Sequence, residues 1–221
     1  MSRTMNMRLL CGASLALLTA CGGNQSEDRV STSPLGLARQ ALGQVVAERR
    51  AASQPQAPAK SPEQMAAEAL RVNPGPLILV GMESSGINQV MAMTGENGGM
   101  RTYMTPSEQA LILRGGMLSG TRGLGNDLSV VEAGTESLIR ARQSGSAPRV
   151  LRYYAGDGLE RPLSFECSVT PGPNPGVMIE SCEGHGASFQ NNYMVQGGQI
   201  PVSRQWAGPG LGYITIQTVR P

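Results

Sequence analysis

The sequence predicts a mainly β protein, a large antiparallel meander sheet or partly open barrel, preceded by one or two N-terminal α-helices. Three observations lead there. After Pro76, short apolar runs alternate with glycine-bearing turns at spacings of about 8–12 residues, the rhythm of an antiparallel sheet. The segment "SFECSV" alternates strictly, with Phe165, Cys167 and Val169 on one face and Ser164, Glu166 and Ser168 on the other. All eight aromatic residues lie after position 102, so the main core belongs to the strands and not to the leader.

The elements follow in chain order. Arg3 and Arg8 precede an apolar run from Leu9 to Leu18, too short for the ~20 residues that span a bilayer core, so residues 1–20 read as a signal peptide. The pattern Leu18-Thr19-Ala20-Cys21 resembles the bacterial lipobox, in which the cysteine takes a diacylglyceryl group and becomes the first mature residue. Cys21 is therefore the expected lipidation site. Two or three acyl chains there would make attachment effectively permanent, since each buried methylene adds ~0.8 kcal/mol. Gly22 stands where an Asp would favour retention at the inner membrane. The resemblance therefore implies an outer-membrane lipoprotein facing the periplasm, with the lipid as its membrane contact.

Residues 21–33 are polar and aperiodic and read as a flexible tether of roughly 40 Å reach when extended. Residues 34–73 form a helical leader. Ser33-Pro34 supplies an N-cap and a first-turn proline, and Leu35, Ala38, Leu42 and Val45 make one apolar stripe. The linker "AASQPQAPAK" breaks that helix. Ser61, Pro62 and Gln64 then form a capping box for a second helix, running to about Arg71 before Asn73-Pro74 stops it.

Residues 74–221 are the β-rich domain. Strands are expected at 77–82, 88–94, 100–105, 110–114, 117–122, 149–155, 163–169, 176–182, 187–195, 200–206 and 212–219. The turns at Gly98-Gly99, Gly115-Gly116 and Gly197-Gly198 suit tight hairpins. Between Leu128 and Arg142 the pattern reads as a short helix beginning near Glu132.

Charge and cysteine usage narrow the function classes. The chain carries 18 basic and 16 acidic residues, and removal of Arg3 and Arg8 with the signal balances the mature side chains. A balanced chain lacks the basic footprint of a nucleic-acid binder, so no nucleic acid is expected as partner. Cys11 leaves with the signal and Cys21 is taken by lipid, which leaves Cys167 and Cys182 to pair as a disulfide in an oxidising compartment. A single histidine, His185, stands between glycines and reads as a turn residue, and no metal is expected. Gly123-Leu124-Gly125 lacks the lysine and hydroxyl of a phosphate loop, and no cofactor is expected.

No catalytic signature is present: there is no G-x-S-x-G elbow. Glu83, Asp127, Asp157, Glu160, Glu166 and Glu180 are the acids from which a hydrolase pair would be drawn, but their spacing selects none. Two segments are richer than packing requires. "TRGLGNDL" brings together Arg122, Asn126 and Asp127, and "SRQWAGPGLGY" places Arg204 and Trp206 two apart on one strand face, with Tyr213 beyond a Gly-Pro-Gly bend. An aromatic ring beside Arg, Asn and Asp is the usual equipment for a sugar, stacking on its apolar face and binding its hydroxyls. The competing structural reading has Asp127 pairing with Arg204 to pin two loops, and Trp206 filling the core.

These segments, with "RVLRYY", "FECSV", "FQNNYMV" and above all "SRQWAGPGLGYITI", resemble the YjbF/GfcB family of lipoproteins linked to group 4 capsule and exopolysaccharide production. The likeness runs from about Pro74 to the C-terminus, includes the lipobox, and fades across the leader. It implies a β-rich lipoprotein that is not an enzyme and acts as an accessory of polysaccharide production or export. Its partners would be polysaccharide or other export proteins. The alternatives are a polysaccharide-modifying hydrolase using a carboxylate pair, and a structural cell-envelope module that binds protein only.

Overall fold

The computed structural model describes residues 60–154, 157 and 159–221. The signal, Cys21, the tether and the first expected helix lie outside the described residues.

The first described element, α1 (Pro62–Val72), starts where the capping box placed it. Ser61 Oγ accepts from the Gln64 N–H, and Gln64 Oε1 accepts from the Ser61 N–H, satisfying two first-turn donors reciprocally. None of its residues is buried. Arg220 holds it by donating to the carbonyls of Leu70, Asn73 and Gly75 at the helix end, so α1 lies against the outside of the sheet.

Twelve strands follow: β1 (Leu77–Met82), β2 (Ile87–Asn97), β3 (Met100–Met104), β4 (Ala110–Arg114), β5 (Met117–Arg122), β6 (Leu128–Ala133), β7 (Gly145–Tyr154), β8 (Glu160–Pro171), β9 (Val177–Gly184), β10 (Ala187–Gln196), β11 (Gln199–Trp206) and β12 (Tyr213–Arg220). They form one antiparallel sheet in the order β5-β4-β3-β2-β1-β12-β11-β10-β9-β8-β7-β6, nearly closed into a barrel. Every consecutive pair is laddered except β5 and β6, and β12 returns to pair with β1. The expected meander is therefore correct. Four two-residue hairpins, at 98–99, 115–116, 185–186 and 197–198, have both central residues at positive φ, which matches the right-handed twist of the flanking strands. His185 occupies one of them, as a turn residue at φ 50°.

One expected element is corrected. Residues 128–133 are strand β6, and the helix α2 (Glu136–Ala141) begins only after it. In "LSVVEA", Leu128 and Val131 are buried while Val130 and Glu132 point outward, and β6 is the pairing partner that β7 requires. The helix expected from near Glu132 is present but starts at Glu136, and the strand before it had not been expected.

The inward face of the strands builds the core. Phe165, Cys167 and Val169 are all buried, as the alternation requires. Cys167 and Cys182 stand directly opposite each other on β8 and β9 and form the expected disulfide, closing a loop of 15 residues. One end of the barrel is filled by Phe165, Phe189, Leu128 and Leu211. The other is filled by Met117, Met178, Val195 and Ile200 around Ile139 of α2. Arg140 fastens α2 there by donating to the carbonyls of Arg114, Gly115 and Gly198 while pairing with Glu136.

Candidate functional site

Three polar constellations stand out, and the sequence pointed to two of them. The first is the "TRGLGNDL" loop between β5 and β6. Asp127 Oδ1 accepts from Thr121 Oγ1 (2.8 Å) and the Leu124 N–H (3.1 Å), and Oδ2 accepts from the Gly123 N–H (2.7 Å). Thr121 Oγ1 also accepts from the Leu128 N–H (3.0 Å), and Arg122 Nη1 donates to the Leu128 carbonyl (2.8 Å). Thr121 and Arg122 thus bridge β5 to the first residue of β6 where the ladder is missing, and Asp127 holds Thr121 and the connecting loop in place. Asn126 reaches the other candidate segment: its amide lies so close to Gly210 that a Cβ there would sit 2.4 Å from it.

The second constellation is built by β10, β11 and β12. The ladder between β10 and β11 runs as far as Asn192 opposite Arg204 and then gives way. The Trp206 N–H is taken by Asn191 Oδ1 (2.6 Å), and the Gln190 N–H by Tyr213 Oη (3.2 Å). Side chains stand in for backbone acceptors, and the two strands part. Trp206 goes to the core at this point, stacking on Phe189 with centroids 4.3 Å apart and meeting Phe165 edge-on at 5.8 Å. Arg204 stays on the outer surface. Its guanidinium lies 3.4 Å over the Tyr213 ring, and Nε and Nη2 each donate to Glu83 at 2.7 Å.

The expected Asp127–Arg204 pair is therefore corrected. Asp127 spends its oxygens within its own loop, and Glu83 emerges from the β1–β2 turn beside Arg204. Their hydrogen bond holds the Glu83 carboxyl below, and the Arg204 guanidinium above, their ordinary values, and the two charges reinforce this. The outer surface over the parted strands is a trough of about 450 Å³, lined by Ser181, Ser188, Gln190, Asn192, Arg204 and Tyr213, with Glu183 in one wall.

The segment Ala207–Gly212 folds over the end of the barrel beside this trough. Tyr153 Oη donates to the Ala207 carbonyl (3.0 Å) and Ser84 Oγ to that of Leu211 (3.0 Å). Ala207 is fully buried and Leu211 nearly so. Gly208, at φ 104°, leaves no room for a side chain, since a Cβ would meet Tyr153 Oη at 1.7 Å. Burial raises the Tyr153 hydroxyl well above the ordinary phenol range, outweighing the lowering by Arg149, which keeps it a donor.

The third constellation was not anticipated from the sequence. Arg149 and Glu180, both without solvent exposure, pair inside the barrel, with Arg149 Nη1 3.0 Å from Glu180 Oε2. Glu180 also accepts from Tyr193 Oη (2.9 Å), Asn191 Nδ2 (2.7 Å) and Thr135 Oγ1. Burial pushes the Glu180 carboxyl up, but the Arg149 charge and the three neutral donors together outweigh it and hold it below the usual carboxylate range. Asn191 links this cluster to the strand opening: its Nδ2 donates to Glu180 and its Oδ1 accepts from the Trp206 N–H. The available signal was charge on an apolar face: Glu180 alternates with Met178 and Cys182 on β9, and Arg149 with Leu151 on β7.

The acids from which a hydrolase pair was to be drawn are dispersed in their engagements. Glu83 is paired with Arg204, Asp127 holds its loop, Asp157 pairs with Arg161, Glu160 accepts from Ser129, and Glu180 is enclosed. Glu166 stands opposite Glu183 on the outer face of β8 and β9.

Comparison with known proteins agrees with this architecture. The chain is similar to the crystal structure of the hypothetical lipoprotein YmcC from Escherichia coli (K12), with a TM-score of 0.58 and 15% identity over 87% of this chain and 98% of that one. At that identity the likeness concerns the fold. No curated protein matches the chain. Among the described residues, no helix is long and apolar enough to cross a membrane. The family model described as "Group 4 capsule polysaccharide lipoprotein gfcB, YjbF" matches residues 39–219, and so takes in much of the leader in which the resemblance faded. That match covers most of the chain, and the protein belongs to the YjbF family of capsule polysaccharide lipoproteins.

Proposed function

We propose that the protein is a non-enzymatic accessory of capsule or exopolysaccharide production, held by lipid on Cys21 at the periplasmic face of the outer membrane. There its barrel contacts polysaccharide or a secretion partner. The family match over residues 39–219 carries the reading. The site geometry supports it: core side chains fill both ends of the barrel, and the polar trough at Arg204 and Tyr213 faces outward. Such a molecule works by where it is held and by what its outer face touches.

Complementation of a deletion strain tests the proposal. The wild-type chain should restore polymer output, and Cys21→Ser should not, because the processed terminus then carries no acyl chains and fractionates away from the outer membrane. Glu166→Gln and Glu183→Gln should restore output fully. Loss of output in either glutamine variant, at unchanged protein level, would favour the hydrolase reading, since these two acids face each other across β8 and β9. Crosslinking that captures protein and never glycan would favour a protein-binding module.

A further inference from the structure

We propose that the trough over the parted β10 and β11 strands is a saccharide subsite that selects uncharged pyranose units over uronic acids. The proposal rests on the polysaccharide contact of the preceding section and adds the chemistry of the sugar.

The trough is not an ordinary stretch of sheet surface. Beyond Asn192 and Arg204 the ladder is given up, and the Trp206 and Gln190 N–H groups are satisfied by Asn191 and Tyr213 side chains instead. Interrupted ladders of this kind re-aim side chains and recur beside functional sites. Here the interruption sends Trp206 inward and leaves a concavity of about 450 Å³, within the range of about 300–1,000 Å³ common for small-molecule sites.

The groups on its walls decide the ligand. Gln190 and Asn192 contribute primary amides, each with both a donor and an acceptor, and Ser181 and Ser188 contribute hydroxyls. Gln190 Nε2 already donates to Ser181 Oγ at 3.1 Å, which fixes that amide. A sugar hydroxyl, itself donor and acceptor, matches such groups. A sugar carboxylate does not. The one cation in the trough, Arg204, has the two donors of its side-on fork occupied by Glu83, and its face lies on Tyr213. Glu83 already balances the Arg204 charge, so a second carboxylate would find only the end-on donors of a neutralised pair and little net attraction. Glu183 in the wall, with Glu166 opposite it, adds negative charge that a uronate would meet. Arg204 is a positioning residue here: with Glu83 it holds the Tyr213 ring whose hydroxyl keeps the strands apart.

The test titrates the purified full chain in detergent micelles with three defined probes: neutral hexasaccharides of glucose and of galactose, and hexagalacturonate. At least one neutral hexasaccharide should bind, with hexagalacturonate weaker by about tenfold or more at low salt and the gap narrowing as salt is added. The Gln190→Ala/Asn192→Ala double variant should weaken the neutral ligand by about fivefold or more while melting like the wild type, because the Gln190 N–H that Tyr213 holds is retained. Binding of hexagalacturonate as tight as the neutral sugars overturns the proposal, as does binding of none of the three, or neutral binding that the double variant leaves unchanged. Polymer output of the complemented strain is read separately, so none of these results bears on the export role.

Discussion

Arg149 and Glu180 illustrate how much a single buried pair can demand. Both are removed from water, and Arg149 Nε and Nη2 find no protein acceptor. Removing one partner leaves the other charged and enclosed, so Arg149→Met should destabilise the fold by about 3–5 kcal/mol, measured by chemical denaturation. Replacing both residues would not restore the loss, because Tyr193, Asn191 and Thr135 all donate to Glu180 and would be left without an acceptor. The pair also sets a pH dependence. Glu180 has a folded pKa below its unfolded one, so its contribution is complete above the unfolded carboxylate pKa of about 4.3 and is lost as pH falls through the lower folded value. Glu180→Gln should be less stable at neutral pH and show a flatter acid limb. Arg204 and Glu83 are a contrast. Both are more than a third exposed, so solvent screens them and Arg204→Ala should cost no more than about 1 kcal/mol in stability. A much larger loss would mean that Tyr213 and the strand opening collapse with it.

At the scale of the element, the least forgiving pieces are the connections at the barrel ends. Gly208 sits at positive φ with Tyr153 Oη pressed against its backbone. Gly208→Ala should therefore unseat the Ala207–Gly212 segment, visible as faster amide exchange at Ala207, which bonds to Gly212, and at Gly212, which bonds to Gly208. The disulfide joins β8 and β9 at directly opposed positions. A Cys167→Ala/Cys182→Ala variant should lose about 3 kcal/mol, the chain-entropy value for a loop of that length, and should still form the sheet. The two helices differ in kind. α1 was legible because its capping box is local, Ser61 to Gln64. α2 is only six residues and owes its place to Ile139 in the core and Arg140 on three carbonyls.

At the scale of the whole molecule, the seam between β5 and β6 is where a twelve-strand sheet stops short of full closure. Open edges are a liability, and here Thr121 and Arg122 bridge to the Leu128 N–H and carbonyl, while Asp127 orders the connecting loop by accepting from Thr121 and the Gly123 and Leu124 N–H groups. Asp127→Ala should raise exchange at Gly123, Leu124 and Leu128 and promote concentration-dependent association through the exposed edges; unchanged exchange at all three would mean the seam closes by packing alone. Core side chains fill the barrel's two ends, and its polar trough opens on the outer face.

Much of this was decided by local physics and could be read directly. Period two requires alternate burial, paired glycines permit the hairpins, and the capping box at Ser61 and Gln64 starts α1. These depend on neighbours a few residues away. Tertiary structure alone decided which distant groups meet: Arg204 with Glu83 across 121 residues, Arg149 with Glu180 across 31, Trp206 stacked inward on Phe189. It also decided that Leu128–Ala133 is a strand. The reason is the same in each case. A strand's sequence dictates which way its side chains point but not which strand lies beside it, and the chemistry of this barrel resides in what its neighbours bring.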